Sequence, residues 1–295
     1  KYNLILKYFR KLINKYFLNP LGFKLSRINK LKIIPQVSGI SGQLISKRNL
    51  LITSFIHNYF SEYNIIITEQ EINKNIIEYE LILENVPISD LSGGMGYNKG
   101  LITYILLNYI NPIKCIESGV WRGFTTYIMD KVTSVNSKIY CFDINLEELE
   151  YKSTKAKYFE SDITENNTLF QDEKIDLALF DDHFSHFDRI NFCLINEIHH
   201  IILDDDVSIL QLHSDGWPPI PTASMVFNYI DSAHEFEWSN NTKKAKANIQ
   251  NIETKSITDN YIRIPYPDLY KFTGYKNSTP TSFLINKKEL PYKKK

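Results

Sequence analysis

The sequence predicts an α/β fold, a doubly wound and mostly parallel sheet with an N-terminal helical extension. Three observations carry this. From residue 113 the apolar runs "IKCIES", "KIYCFD", "AKYFES", "IDLALFDD" and "HHIILDD" begin 18–25 residues apart. Each run is short, apolar through its length, and closes on or beside an acid. The segments between them are polar and compatible with helix. Buried parallel strands joined by helical crossovers give this pattern, because a strand covered on both faces has no polar side to show.

Ahead of the strands the chain is less regular. Residues 2–17, "YNLILKYFRKLINKYF", place Ile5, Tyr8, Phe9, Leu12, Ile13, Tyr16 and Phe17 at helical spacing. Lys7, Arg10, Lys11 and Lys15 fall largely elsewhere on the wheel. "NPLG" at 19–22 breaks the pattern. This basic arm, residues 1–35, suits a helix lying on an anionic membrane surface. The alternative is an apolar face packed on the body or on a second subunit of a homo-oligomer. Residues 36–92 read as an extension packing on the core. Within it "LLITSFIHNYFSEYNIII" is a helix leading into a strand, and "NKNIIEYELILEN" holds a further helix or strand. "DLSGGMGYNKG", residues 90–100, reads as a loop with four glycines, and "LITYILLNYINP" as an apolar helix closed by Pro112. The principal domain is expected over residues 93–295.

The net charge of +0 conceals an asymmetry. The first 61 residues hold eleven Lys/Arg and no acid, whereas residues 117–206 hold 19 acids against 8 Lys/Arg. Such an acidic body repels phosphates, which excludes nucleic acid as a partner. Three cysteines, Cys115, Cys141 and Cys193, sit inside apolar runs and read as reduced core thiols. No apolar run approaches the roughly 18–20 residues of a spanning helix, and no secretory signal pattern is present. The compartment expected is the cytoplasm, with peripheral contact at the inner membrane surface through residues 2–17.

In a parallel sheet of this kind ligands bind at the carboxyl ends of the strands. The five runs place Glu117, Asp143, Asp162, Asp181 with Asp182, and Asp204 with Asp205 and Asp206 along that rim. "IESGVWRG" follows the first strand, and Gly119 and Gly123 allow close backbone approach and an early helix start. Its spacing is neither the dinucleotide turn nor a P-loop. Glu117 is a poor neighbour for phosphates and a good one for an amino group or a cation. Asp143 is placed for ribose hydroxyls and Asp162 for an adenine amino group. A nucleoside bearing an amino-acid cation satisfies all three, and S-adenosylmethionine is such a molecule.

These residues also carry a family resemblance. Glu117-Ser118-Gly119 with Gly123, then Asp143, then Ser161-Asp162, resemble the successive cofactor motifs of class I S-adenosylmethionine-dependent methyltransferases. The resemblance covers about residues 93–206 and implies a Rossmann-like sheet, with Asp181 joining the cofactor set. It further implies that the tail "FTGYKNSTPTSFLINK" supplies late antiparallel strands. "LFDDHFSHFDR" followed by "HHIILDDDVS" is similar to metal-dependent sugar and small-molecule O-methyltransferases. That similarity implies Asp182, Asp204 and Asp205 as ligands of Mg²⁺ or Mn²⁺, and His183 or His186 as the general base. Without the family, hard carboxylate oxygens suit those ions, and the same acids also suit capping of the helices that follow. His199 and His200 start the fifth strand and read as structural, while Arg189 reads as an ion-pair partner for a neighbouring acid. "LHSDGWPPIPTASM", residues 212–225, reads as a specificity loop offering Trp217 to a sugar or aromatic acceptor, with His213 and Asp215 nearby.

The function expected is therefore methyl transfer to an oxygen of a sugar, glycan or glycolipid-type small molecule. The rival readings are a binding module that keeps the fold without catalysis, and another nucleotide-dependent enzyme, a nicotinamide oxidoreductase or sugar-nucleotide transferase. The missing pyrophosphate turn counts against the last.

Overall fold

A computed structural model describes residues 42–91, 94–170, 173–208, 219–229, 234–239, 244–249 and 251–290. The segment 2–17 and residues His213, Asp215 and Trp217 lie outside the described residues. Three helices come first: α1 (Gly42–Glu62), α2 (Glu69–Glu84) and α3 (Gly96–Ile110). In α1 the buried face is Ile52, Ile56 and Phe60, and in α2 it is Ile72, Ile76, Tyr79 and Leu83, the spacing of one helical stripe. Thr68 starts α2 with a capping box, its hydroxyl accepting from the Glu71 N–H while the Glu71 carboxylate takes the Thr68 N–H. The strand expected before it does not form. Asn64 turns the chain with φ of 61°, and Ile65 and Ile67 then plug the core from a loop.

Helix α3 is buried from Tyr97 through Leu107. Each of its fully covered aliphatics, Leu101, Ile102, Ile105, Leu106 and Leu107, contributes about 1.5–3 kcal/mol relative to exposure. One charged residue, Lys99, lies within that buried stretch.

The sheet strands are β1 (Lys114–Ser118), β2 (Lys138–Phe142), β3 (Ala156–Phe159), β4 (Leu177–Phe180) and β5 (His200–Leu203), all inside the expected runs. Helix α4 (Phe124–Val132) follows β1, and α5 (His186–Ile195) follows β4. The β2–β3 connection is built of turns instead of a helix, held by Asp143 and Asn145 side chains accepting from the N–H groups two residues on. A 3₁₀ segment, Ile163–Phe170, lies between β3 and β4. Then come α6 (Ala223–Tyr229), the hairpin β6 (His234–Ser239) with β7 (Lys244–Ile249), α7 (Asn251–Asn260), β8 (Tyr261–Pro265), α8 (Tyr270–Thr273) and β9 (Ser282–Asn286).

Seven strands form one sheet in the order β3-β2-β1-β4-β5-β9-β8. The first five are parallel, and β9 inserts antiparallel between β5 and β8. The α/β class is as expected, and the tail does supply a reversed strand. Side chains alternate between two cores. Cys115, Ile139, Leu177 and Ile202 face one, and Ile116, Phe142, Phe180 and Leu203 face the other. The extension shares the first core, and Tyr59 of α1 donates to the Pro265 carbonyl at the end of β8 at 2.6 Å. No helix among the described residues is long and apolar enough to cross a membrane.

Candidate active site

Strand register sets the rim level. Ser118 pairs with Phe142 on one side and Phe180 on the other, and Phe180 pairs with Leu203. The residues one and two beyond these positions therefore converge. Strand order reverses direction around β1, which opens a crevice between the connections on its two sides. A cavity of about 820 Å³ fills it. Of the residues predicted from sequence, Gly119, Asp143, Asp162, Asp181, Asp182, His183, Asp204 and Asp205 line this cavity, whereas Glu117, Gly123 and His186 do not.

The turn after β1 is fixed by contacts on both sides. Gly119 holds φ of 90°, and a Cβ there would lie 2.3 Å from the Asp181 carbonyl oxygen. Gly123, with φ of 86°, has the Tyr151 carbonyl oxygen 2.6 Å from where its Cβ would stand. Both positions need glycine to let neighbouring chain pass. From the end of the neighbouring β2 the Asp143 carboxylate accepts from the N–H groups of Val120 and Trp121, both at 2.8 Å. It therefore clamps the turn while still facing the cavity. Exposed Trp121, Ile144 and Phe184 stand at the mouth and leave apolar surface free for a ring.

Glu117 sits beneath this floor. Its Oε2 accepts from Thr126 at 2.5 Å and from the Cys141 thiol, while Oε1 is buried without a partner. Burial pushes its carboxyl up to about 7 against the help of Thr126. It points into the core, because residues alternate along β1 and this one shares a face with Cys115.

The acids of the third, fourth and fifth strand ends fall into two sets. Asp162 and Asp182 share Arg189, whose side chain is 1% exposed: Nη2 lies 2.5 Å from Asp162 and Nε lies 2.9 Å from Asp182. Burial works to raise the Asp162 carboxyl, but Arg189 and Thr164 outweigh it and hold it at about 2. Ser118 also donates to Asp182 at 2.6 Å. The expected ion pair of Arg189 is present. Asp204 is held by Lys99, whose Nζ lies 2.8 Å from Oδ1 and 2.6 Å from Oδ2. Nothing in the sequence spacing brings Lys99 to the site. It lies 105 residues from Asp204 in the chain, and its one sequence signal is a lone charged residue at the start of a largely apolar helix.

Asp181, His183 and Asp205 form the second set, each placing one potential ligand atom within 4.8 Å of the others. His183 Nδ1 is 2.8 Å from Asp205 Oδ2, and this bond raises the imidazole above its usual range while burial opposes. For Asp205 burial acts upward, and the bonds from His183 and Thr279 prevail, bringing it to about 2. Burial, with Asp204 and Asp205 close by, lifts Asp181 well above the carboxylate range.

His186, the alternative base, turns away. Ser185 caps α5, so His186 occupies the first buried turn, where its Nδ1 accepts from the Ala223 N–H at 3.2 Å and lies 3.8 Å from Asp206. Asp206 itself is committed to Arg263 at 2.6 Å and to the Ser224 N–H at 2.6 Å.

The residues present fit a nucleoside cofactor: a turn that starts on a glycine, a carboxylate facing the cavity at β2, and unburied apolar groups at its mouth. They do not fit the expected metal set. Two of its three carboxylates, Asp182 and Asp204, are already engaged by a guanidinium and an ammonium, and the third is paired with His183.

No protein-family model matches the chain, and no curated protein matches it in sequence. Solved structures do resemble it. A candidate O-methyltransferase from Klebsiella pneumoniae is 12% identical, with 78% of this chain and 96% of that one covered at a TM-score of 0.43. The O-methyltransferase TomG from Streptomyces achromogenes, solved with S-adenosylmethionine, is 9% identical, with coverage of 78% and 95% and a TM-score of 0.43. The O-methyltransferase from Bacillus cereus, in complex with SAH, is 11% identical, with coverage of 80% and 99% and a TM-score of 0.38.

Proposed function

We propose that this chain is an S-adenosylmethionine-dependent methyltransferase that methylates a hydroxyl oxygen of a small molecule, with His183 as the base. One observation carries the reading. The His183–Asp205 pair, 2.8 Å apart, faces the same cavity as the glycine turn that Asp143 clamps. A proton acceptor and a nucleoside-sized cradle thus share about 820 Å³, within the range of small-molecule sites.

When bound, the cofactor supplies an electrophilic methyl group on a sulfonium. The protein's task is to deliver an oxygen nucleophile and remove its proton. With Nδ1–H donated to Asp205, His183 keeps Nε2 as the nitrogen that accepts the hydroxyl proton. Asp205 fixes that tautomer and stabilises the imidazolium that forms. Asp143 keeps the glycine turn folded and offers the remaining acceptor position of Oδ1 to a ribose hydroxyl. Trp121 and Phe184 provide flat apolar surface for a purine or for the acceptor's face. A sugar or glycan-type small molecule is the acceptor class of this proposal, and the panel below tests it.

The test is transfer of a labelled methyl group to a panel of free sugars, glycosides and phenols. The His183→Gln variant should retain cofactor binding and lose about 10²–10⁴-fold in turnover, the usual span for a general base. Undiminished turnover in that variant would remove His183 from the role.

A further inference from the structure

We infer that Lys99 holds the position that a divalent metal would take on the β5 carboxylate, so that the cleft works with a resident ammonium instead of a bound ion. The cleft is the one assigned to methyl transfer, and this assignment rests on that reading.

Lys99 and Asp204 are 2% and 4% exposed, and both carboxylate oxygens of Asp204 lie within 2.8 Å of Nζ. A cation chelated by that carboxylate would need the same space, since metal–oxygen distances run about 2.0–2.6 Å. Thr279 Oγ1 receives the ammonium at 3.1 Å, and Thr281 donates to Oδ1 of Asp204. With three acceptors around three ammonium hydrogens, Lys99 is fully bonded and fixed in place. Helix α3 explains how it gets there. The helix is buried from Tyr97 through Leu107, which carries Lys99 inward, where the rim carboxylate and Thr279 satisfy the buried ammonium.

A second fixed cation reinforces the point. Arg189 reaches Asp182 from the opposite flank, at 2.8 Å through Nη2. Two buried positive charges therefore stand against the Asp204 and Asp182 carboxylates, as a metal would in a crowded carboxylate site. A divalent ion entering among Asp181, Asp204 and Asp205 would meet the ammonium at close range and be repelled.

The experiment is Mn²⁺ binding followed by electron paramagnetic resonance on the full chain, with and without S-adenosylhomocysteine. Wild type should show no saturable binding tighter than about 1 mM, and its melting temperature should be the same in EDTA and in Mg²⁺. Lys99→Gln frees Asp204 and should gain one Mn²⁺ per chain, at least about tenfold tighter than wild type. Adding Asp204→Asn to Lys99→Gln should abolish that gain. Stoichiometric submillimolar Mn²⁺ in wild type, lost in Asp205→Asn, would overturn the assignment, as would a folded Lys99→Gln that gains nothing. Should Lys99→Gln fail to fold, the wild-type resonance and melting data decide by themselves. Failure of S-adenosylhomocysteine to bind in EDTA while Mn²⁺ is also refused would strike the methyl-transfer reading and leave the Lys99 assignment standing.

Discussion

His183 and Asp205 meet at 2.8 Å although they belong to different strand ends, and both hold left-handed backbone, with φ of 57° and 58°. Neither is glycine, and side chains rarely adopt this region without compensation. The two sharp turns aim an imidazole and a carboxylate at each other over the cavity. In straight continuations of β4 and β5 they would follow the strands outward.

The pair makes a prediction about pH. Asp205 raises the His183 pKa above 6.5, so the charged pair stabilises the fold below that value and its contribution is lost as pH climbs through the raised pKa. As a base, His183 becomes competent over that same upward interval. An NMR titration should find the His183 midpoint above 6.5 and find it lower in Asp205→Asn. Equal midpoints in the two proteins would dissolve the pair.

Glu117 should cost stability at neutral and alkaline pH. Its carboxyl binds a proton more tightly folded than unfolded, so stability falls as pH rises from 4.5 to about 7 and the full cost persists above. The size is about 3 kcal/mol. Glu117→Gln should therefore melt higher than wild type near about pH 8 and close to it near about pH 5. A lower melting point at both values would mean that the ionised carboxylate is stabilising.

Gly119→Ala should damage the fold and not merely the cofactor site. The added methyl would press on the Asp181 carbonyl, and φ of 90° suits glycine alone. A loss of at least about 2 kcal/mol in urea unfolding is expected. Wild-type stability with lost S-adenosylhomocysteine binding would show the turn to be yielding, with glycine there for the ligand.

Arg189→Met should be more severe, about 3–5 kcal/mol, since it strands two carboxylates beside a buried apolar side chain. Chemical denaturation would measure it. A loss under about 1 kcal/mol would place Asp162 and Asp182 in water, screened from Arg189.

Much of the fold was legible because five parallel strands buried on both faces leave uninterrupted apolar runs such as "IDLALF". β8 was not, since "YIRIP" carries Arg263 and ends in Pro265, and it takes its place through pairing with β9. Site acids were legible as strand ends, but their partners were not. Arg189 lies seven residues after Asp182 and could be guessed; Lys99 reaches Asp204 from another helix, and sequence spacing says nothing about that. Sequence alone left His183 and His186 equivalent; the helix capped by Ser185 leaves His183 before it, lining the cavity, and His186 inside it.

Calorimetric titration of S-adenosylhomocysteine into the full chain tests the central claim most directly. One saturable site per chain is expected, with binding weakened about tenfold or more in Asp143→Ala, where the clamp on the Val120 and Trp121 N–H groups is lost. No heat at any accessible concentration from a protein that melts cooperatively would contradict the account, and would leave a sheet of this topology serving as a scaffold.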